Sequence, residues 1–231
     1  MNKSSRALVS GTSSGIGRAI AEALLADGWF VVGLDVAAPA VVHNAFRHIL
    51  VDLSDGVALE AAARNAGTVE ALVYAAGVLR VARLGALSAE DGQLLWRLHV
   101  DAATRLANIV VPAMAAAGAG RVVLIGSRVA QGKAERSQYA ASKAALIALA
   151  RSWAAEVVAQ GVTVNVVSPA ATQTAMMNDP ARSTAAPVVP PIGRMIWPEE
   201  VAAMVSFLLS SDAGAITGQD IQICGGASLA T

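Results

Sequence analysis

Ala7-Leu8-Val9-Ser10-Gly11-Thr12-Ser13-Ser14-Gly15-Ile16-Gly17 decides how this chain folds. Three apolar residues make a short strand, the glycines stop it, and residues 18–26 follow with a helical pattern, so the stretch reads as strand, glycine turn and helix. Gly11, Gly15 and Gly17 admit backbone conformations closed to other residues and let a phosphate approach the main chain, where the helix amides and dipole favour its charge. The spacing is Gly-x-x-x-Gly-x-Gly, not the Gly-x-Gly-x-x-Gly of the common dinucleotide fingerprint, but the same physics applies.

Outward from that turn, strands and helices alternate. Residues 30–34 form a second strand that ends at Asp35, and a connection over 37–47, too short for more than a stunted helix, leads to a third at 49–51, closed by Asp52. A fourth runs over 72–74 into the small-residue turn Ala75-Ala76-Gly77, where a flat ligand has room over the sheet. A helix over about 88–114 follows, with Pro112 near its end and His99 a lone polar residue among apolar neighbours. Residues 121–125 make a fifth strand ending at Gly126-Ser127-Arg128, and a long apolar helix runs from 137 to about 160. A sixth strand over 162–167 is closed by Ser168-Pro169, a final helix covers 199–210, and a seventh strand covers 220–224. The segment between Ala170 and Trp197 is rich in proline and without period, as a substrate lid around 175–197 would be. The alternation predicts an α/β fold, a Rossmann-like, doubly wound, parallel seven-stranded sheet in a single domain over 1–231.

Composition narrows the function. With 231 residues, 55% hydrophobic and 15% charged, the chain can bury a sizeable core, and its 17 basic and 17 acidic residues leave no excess charge to hold nucleic acid or an anionic membrane. Small molecules and other copies of the chain are the expected partners. One cysteine, Cys224, cannot make an internal disulfide, no charged-then-apolar leader precedes Arg6, and the most apolar span, 107–120, is interrupted and too short to cross a bilayer. A cytoplasmic location is expected.

Chemistry concentrates in Ser137-Gln138-Tyr139-Ala140-Ala141-Ser142-Lys143. Residues four apart on a helix lie one above the other, so the Tyr139 phenol and the Lys143 ammonium share a face. A cation beside a phenol stabilises the phenolate and lowers a pKa of roughly 10, which makes tyrosine a usable proton donor and acceptor at neutral pH. Ser127 stands at a strand's carboxyl end, where open α/β sheets place ligands. Asp35, about twenty residues beyond the glycine turn, can accept both ribose hydroxyls of NAD and would repel the extra phosphate of NADP.

With these segments in order, the chain resembles the classical short-chain dehydrogenase/reductase family over almost its whole length. The resemblance is carried by 11–17, Asp52-Leu53, Ala75-Ala76-Gly77, Ser127, Tyr139-Ala140-Ala141-Ser142-Lys143, Asn165-Val166-Val167-Ser168-Pro169 and Thr217-Gly218-Gln219. It implies that Tyr139 is the acid/base, that Ser127 hydrogen-bonds the substrate oxygen, and that Lys143 lowers the tyrosine pKa and holds the nicotinamide ribose. It implies a cofactor set of Gly11, Ser13, Ser14, Gly15, Ile16, Gly17, Asp35, Asp52, Leu53, Ala75, Gly77, Tyr139, Lys143, Pro169, Thr172 and Thr174, with Asp52 and Leu53 at the adenine and Thr174 at the nicotinamide carboxamide. No metal is called for. The implied protein is an NAD-dependent oxidoreductase that interconverts a secondary alcohol and a ketone on a small, largely apolar substrate, as a homodimer or homotetramer. Two alternatives stay open. One is a dihydrodiol dehydrogenase, since Ala75-Ala76-Gly77-Val78-Leu79-Arg80 and Val167-Ser168-Pro169 look like the 2,3-dihydro-2,3-dihydroxybenzoate enzymes; the other is a non-catalytic dinucleotide sensor.

Three positions depart from the family pattern. Tyr74-Ala75-Ala76-Gly77 replaces Asn-Asn-Ala-Gly, so the amides that brace the sheet there are missing, and Ala170 replaces a glycine. Counting back from Pro112 puts His99 where the family has an asparagine that anchors a water in the proton relay. With an unperturbed pKa of roughly 6.5, His99 is a candidate to carry that proton itself, against a purely packing role.

Overall fold

Apolar strands buried on both faces need helices on both faces, and the chain supplies them. In a computed structural model, residues 5–178 and 188–229 are described. Strands β1 (Arg6–Ser10), β2 (Phe30–Asp35), β3 (Phe46–Leu50), β4 (Ala71–Tyr74), β5 (Gly120–Ile125), β6 (Val162–Pro169) and β7 (Asp220–Ile223) pair in parallel in the order β3-β2-β1-β4-β5-β6-β7. Helices α1 (Gly15–Ala26) and α6 (Pro198–Leu209) pack with Ala7, Val9, Val73 and Val123 on one face. On the other, α2 (Gly56–Ala66), α4 (Ala102–Ala116) and α5 (Ser137–Val157) pack on Leu8, Leu72, Leu124 and Val164. Strand order reverses between β1 and β4, and a reversal of that kind opens a crevice at the strands' carboxyl ends.

Three details differ from the sequence expectation. Strand β3 spans Phe46–Leu50 instead of 49–51; it is an edge strand whose residues are half-buried or exposed, so its register is not marked by a continuous apolar run. Helix α2, between β3 and β4, is an addition to the elements the sequence pattern predicts. Its signal is the Asp55 cap, whose Oδ1 accepts from the amides of Val57 and Ala58, followed by Leu59, Ala62, Ala63 and Ala66 buried at helical spacing.

The third difference bears on the site. The helix expected over 88–114 is α3 (Ala89–Trp96), a wide π turn over Arg97–Asp101, and α4. A π turn adds a residue to the helical repeat, and here it presents His99 to the interior, fully buried. The Tyr74 hydroxyl, itself buried, donates to the Leu98 carbonyl within that turn. Of the expected lid over 175–197, a short turn at Ala175–Asn178 and residues 188–197 are described, and 179–187 lie outside the described residues. Its far end is tied down. Ile192 donates its amide to the Gly225 carbonyl, Thr172 bridges Ile196, and the Arg194 guanidinium donates to both oxygens of Glu200 at 2.8 Å.

Candidate active site

A cavity of about 700 Å³ runs along the carboxyl ends of β1, β2, β4, β5 and β6. Its first wall is the glycine turn. Gly11 has φ +76 and a Cβ there would lie 3.0 Å from the Ala76 backbone, while a Cβ on Gly17 would run into the Gly11 carbonyl, so backbone approaches backbone where no side chain fits. That leaves the amide end of α1 bare toward the cavity, a cradle suited to a phosphate. The Asp35 carboxylate braces the same turn, accepting from the Ser13 amide at 2.9 Å and the Ala37 amide at 2.9 Å, and it lines the cavity. Asp52 accepts from the amide and hydroxyl of Ser54, both at 2.8 Å, and Leu53 beside it is buried.

Along the floor, the missing amide braces have a substitute. Ser10 Oγ accepts from the amides of Ala75 and Ala76 at 3.0 and 3.1 Å, fastening the turn after β4 to the end of β1. Tyr74, in place of the family's first asparagine, reaches the π turn instead. Ala75, Gly77, Pro169, Thr172 and Thr174 line the same cavity, and so does Ala170.

At the β5 end, Ser127 is nearly buried and its oxygen accepts from the Val129 amide at 3.2 Å, which leaves its own proton to be donated into the cavity. Tyr139 and Lys143 project from the first turns of α5 into that space. The Lys143 ammonium donates to the Ile125 carbonyl at 2.8 Å and lies 6.0 Å from the centre of the Tyr139 ring. Burial pushes its pKa down to about 8, because the charged form loses its hydration.

His99 sits behind this pair, its ring edge-on to Tyr139 with centroids 5.6 Å apart. Its Nε2 accepts from the Val78 amide at 3.1 Å, and the Ser142 hydroxyl, 2.8 Å from Nδ1, donates to the Tyr139 carbonyl at 2.8 Å. An amide is always a donor, so Nε2 carries no proton and Nδ1–H donates to Ser142. Burial first, then the charge of Lys143, hold the imidazole neutral by pushing its pKa well down. Gly77 makes room for it, since a Cβ there would stand 2.9 Å from Nε2. Both ring nitrogens are therefore committed to neighbours. Ser142, inside the tyrosine-lysine motif but not singled out in the sequence, is the link to α5; its spacing from Lys143 carried no signal by itself. Arg128, Lys133 and Arg136, which also line the cavity, were likewise not read from the sequence.

Comparison with known proteins agrees with this fold. Residues 11–228 match a family model described as Enoyl-(Acyl carrier protein) reductase. The 3-oxoacyl-(acyl-carrier-protein) reductase FabG of Salmonella typhimurium is 35% identical, with 95% of this chain and 96% of that one aligned. The short-chain reductase protein NovJ of Streptomyces niveus is 30% identical over 98% and 95% of the two chains. Among solved structures, a short chain dehydrogenase/reductase family protein superposes with a TM-score of 0.90 at 33% identity, covering 97% of each chain. The aldohexose dehydrogenase of Thermoplasma acidophilum does so with 0.90 at 26% identity, covering 99% of this chain and 96% of that one. Fold and site define an oxidoreductase built on a dinucleotide-binding sheet. The chain belongs to the short-chain dehydrogenase/reductase family, which works with nicotinamide dinucleotides. Among its described residues, no helix is long and apolar enough to cross a membrane.

Proposed function

We propose that the protein is an NAD(H)-preferring oxidoreductase that interconverts a secondary alcohol and a ketone. The observation that carries the reading is the single cavity with Asp35 at one end and Ser127, Tyr139 and Lys143 at the other. When bound, the nicotinamide supplies or accepts the hydride. The chain's residues do the rest: Ser127 donates to the substrate oxygen and fixes its place, and Tyr139 gives that oxygen its proton in reduction or takes it in oxidation. Lys143, held by Ile125 from behind, supplies the positive charge that makes the phenolate accessible. Asp35 selects the cofactor, because a phosphate on the adenosine ribose would face its carboxylate. The cofactor set of Gly11, Ser13, Ser14, Gly15, Ile16, Gly17, Asp52, Leu53, Ala75, Gly77, Pro169, Thr172 and Thr174 belongs to this proposal.

His99 serves as a positioning residue in this reading. It ties the π turn to Val78 on one side and, through Ser142, to the backbone of Tyr139 on the other. The protein acts in the cytoplasm as a homodimer or homotetramer. Ala144, Ala145, Ile147, Leu149 and Trp153 on α5 remain partly exposed, an apolar face that a second copy would cover. A screen of secondary alcohols and ketones with NAD(H) and NADP(H), followed by absorbance of the reduced cofactor, tests the whole. Turnover of at least one pair with NAD(H) is expected, and tight dinucleotide binding without turnover of any would leave the sensor reading in its place.

A further inference from the structure

Among the described residues, Tyr74 is the largest of the fully buried side chains, and the chemistry above does not use it. It ends β4, in the middle of the sheet, where it pairs with Leu124 of β5. A phenol shut away from water needs a partner for its hydroxyl, and this one donates to the Leu98 carbonyl inside the π turn. The turn leaves that carbonyl in need. In an α-helix Leu98 would receive the amide of Ala102, four residues on, but that amide goes to Arg97 instead. Burial pushes the Tyr74 phenol up from its ordinary pKa, so the hydroxyl keeps its proton and stays a donor across the neutral range.

Leu98 is the residue that this bond places. Its side chain lines the cavity, as does that of Leu94 four residues before it, so the two share a face and make one apolar wall. His99, next in the chain, has its ring against Tyr139, which puts the wall beside the reacting groups. The segment is fastened at its other end too. Gln138 of α5 donates its side-chain amide to the Ser88 carbonyl at 2.9 Å, Arg80 Nε donates to Asp91 at 3.1 Å, and a Cβ on Gly92 would stand 2.5 Å from the Gln138 amide nitrogen. The lid brings Met176 and Met177 to the same cavity, and methionine adapts its shape to what it meets. One wall is fixed and the other yields.

On the oxidoreductase reading above, we propose that Tyr74 is a specificity-determining positioning residue: through the π turn it holds Leu98 as the fixed apolar wall on which the carbon body of the substrate lies. It thereby sets how bulky a secondary alcohol or ketone can be when its oxygen reaches Ser127 and Tyr139. Tyr74 itself does not line the cavity, so its effect passes through Leu98. The selection is by size, because a fixed wall refuses a hydrocarbon surface that overlaps it, whereas the methionines make room.

The test reads binding, so that it does not wait on the physiological substrate. Cyclopentanol, cyclohexanol and cyclooctanol differ in bulk and carry the same secondary hydroxyl. They are titrated by calorimetry into the protein–NADH complex, where the reduced cofactor can accept no hydride. Leu98→Ala, which opens the wall, should improve cyclooctanol relative to cyclopentanol by roughly tenfold, within the range for methylenes in a hydrophobic pocket. Tyr74→Phe, which removes only the hydroxyl, should move the same ratio in the same direction by about three- to tenfold. In the double variant the two effects should not add, because one acts through the other. A merely structural tyrosine would lower the Tm on substitution and leave the ratio where it was; that result overturns the proposal, as does full additivity. No binding of any ring, or a ratio that Leu98→Ala leaves unmoved, overturns it as well, since the wall would then not face the substrate. Should Tyr74→Phe not fold, the wild type still decides: the Leu98 methyl groups should show by NMR the order of a core leucine although the residue is half-buried, and averaging between rotamers overturns the fixed wall. If the ring preference shifts as expected while no alcohol or ketone turns over, the oxidoreductase reading fails and the wall does not.

Discussion

At the β1 end of the cleft the ligand surface is backbone: Gly11 and Gly17 bring main chain against main chain, and the side chains that matter, Asp35 and Ser10, accept from amides to hold the turn. At the β5 end the surface is side chains, and two that set its geometry are held by partners far away in sequence. Lys143 depends on Ile125, 18 residues back, and His99 reaches Ser142, 43 residues on. A backbone cradle is encoded in consecutive residues, whereas a constellation of buried polar groups is encoded in the fold. The first should therefore fail by losing its ligand and the second by losing its rate.

The sharpest test of that division is Tyr139→Phe set against Gly17→Ala. Removing the phenol hydroxyl should cost about three orders of magnitude in kcat, within the range for a general acid, while NADH affinity by fluorescence titration stays within about twofold. Gly17→Ala should do the reverse, weakening NADH binding severely because its Cβ collides with the Gly11 carbonyl. If Tyr139→Phe kept most of its rate, another acid would be at work and the β5 end would be a binding surface only.

A smaller effect is expected at His99. His99→Leu leaves the Val78 amide and the Ser142 hydroxyl without their imidazole, and kcat should fall by roughly tenfold or more with little change in NADH affinity. His99→Asn, which can again accept and donate, should recover to within about threefold. The pH profile separates positioning from proton transfer. A neutral histidine with both nitrogens engaged adds no ionisation, so wild type and His99→Asn should show the same limbs in kcat against pH. A limb lost only in the asparagine variant would return His99 to the proton path.

These sites also mark how far the sequence could be read. The glycine turn, the alternation of strands with helices and the Tyr139-Lys143 pair are patterns visible along the chain, and the parallel, helix-covered sheet follows from the alternation. Helix α2 escaped because its alanine-rich face is weakly apolar, and β3 was displaced because an edge strand carries no continuous apolar run. The π turn had no visible cause in sequence: nothing around His99 differs from an ordinary helix until Tyr74 and Val78, on another element, meet it. Ser10 answers the departure at Ala75 from 65 residues away, a distance no spacing rule covers.

Cofactor choice should change by a lesser factor. Asp35 should favour NAD(H) over NADP(H) by about tenfold or more in kcat/KM, since a phosphate against a carboxylate costs more than about 1.4 kcal/mol, and Asp35→Ala should narrow the gap. Because the same carboxylate accepts from Ser13, the variant should also bind NADH less well, so the ratio and not the affinity is the readout. Equal use of both cofactors by the wild type would remove Asp35 from the selection.

The smallest effect concerns the stability that the β5 end gives up to keep a cation inside. Lys143 has its folded-state pKa pushed down to about 8 by burial, against roughly 10.4 for a lysine in an unfolded chain. Between those values the unfolded chain binds more protons than the folded one, so stability rises with pH through that window, and the burden is at its full size below about pH 8. Between pH 8 and 9 the gain from this one group should be about 1 kcal/mol, as the folded lysine sheds its proton while the unfolded one keeps it. Other groups titrate too. Tyr74, its phenol pushed up by burial, opposes the trend only once the unfolded chain's tyrosines begin to ionise near pH 10. The comparison is therefore urea unfolding of wild type and Lys143→Met at pH 7, 8 and 9 without cofactor, where titrations common to both cancel. The wild type should gain on the variant across the interval from 8 to 9 and much less from 7 to 8. A parallel pair of curves would mean that the Ile125 carbonyl alone keeps the ammonium as basic as in water, and the account of how Tyr139 obtains its charge partner would need a different source.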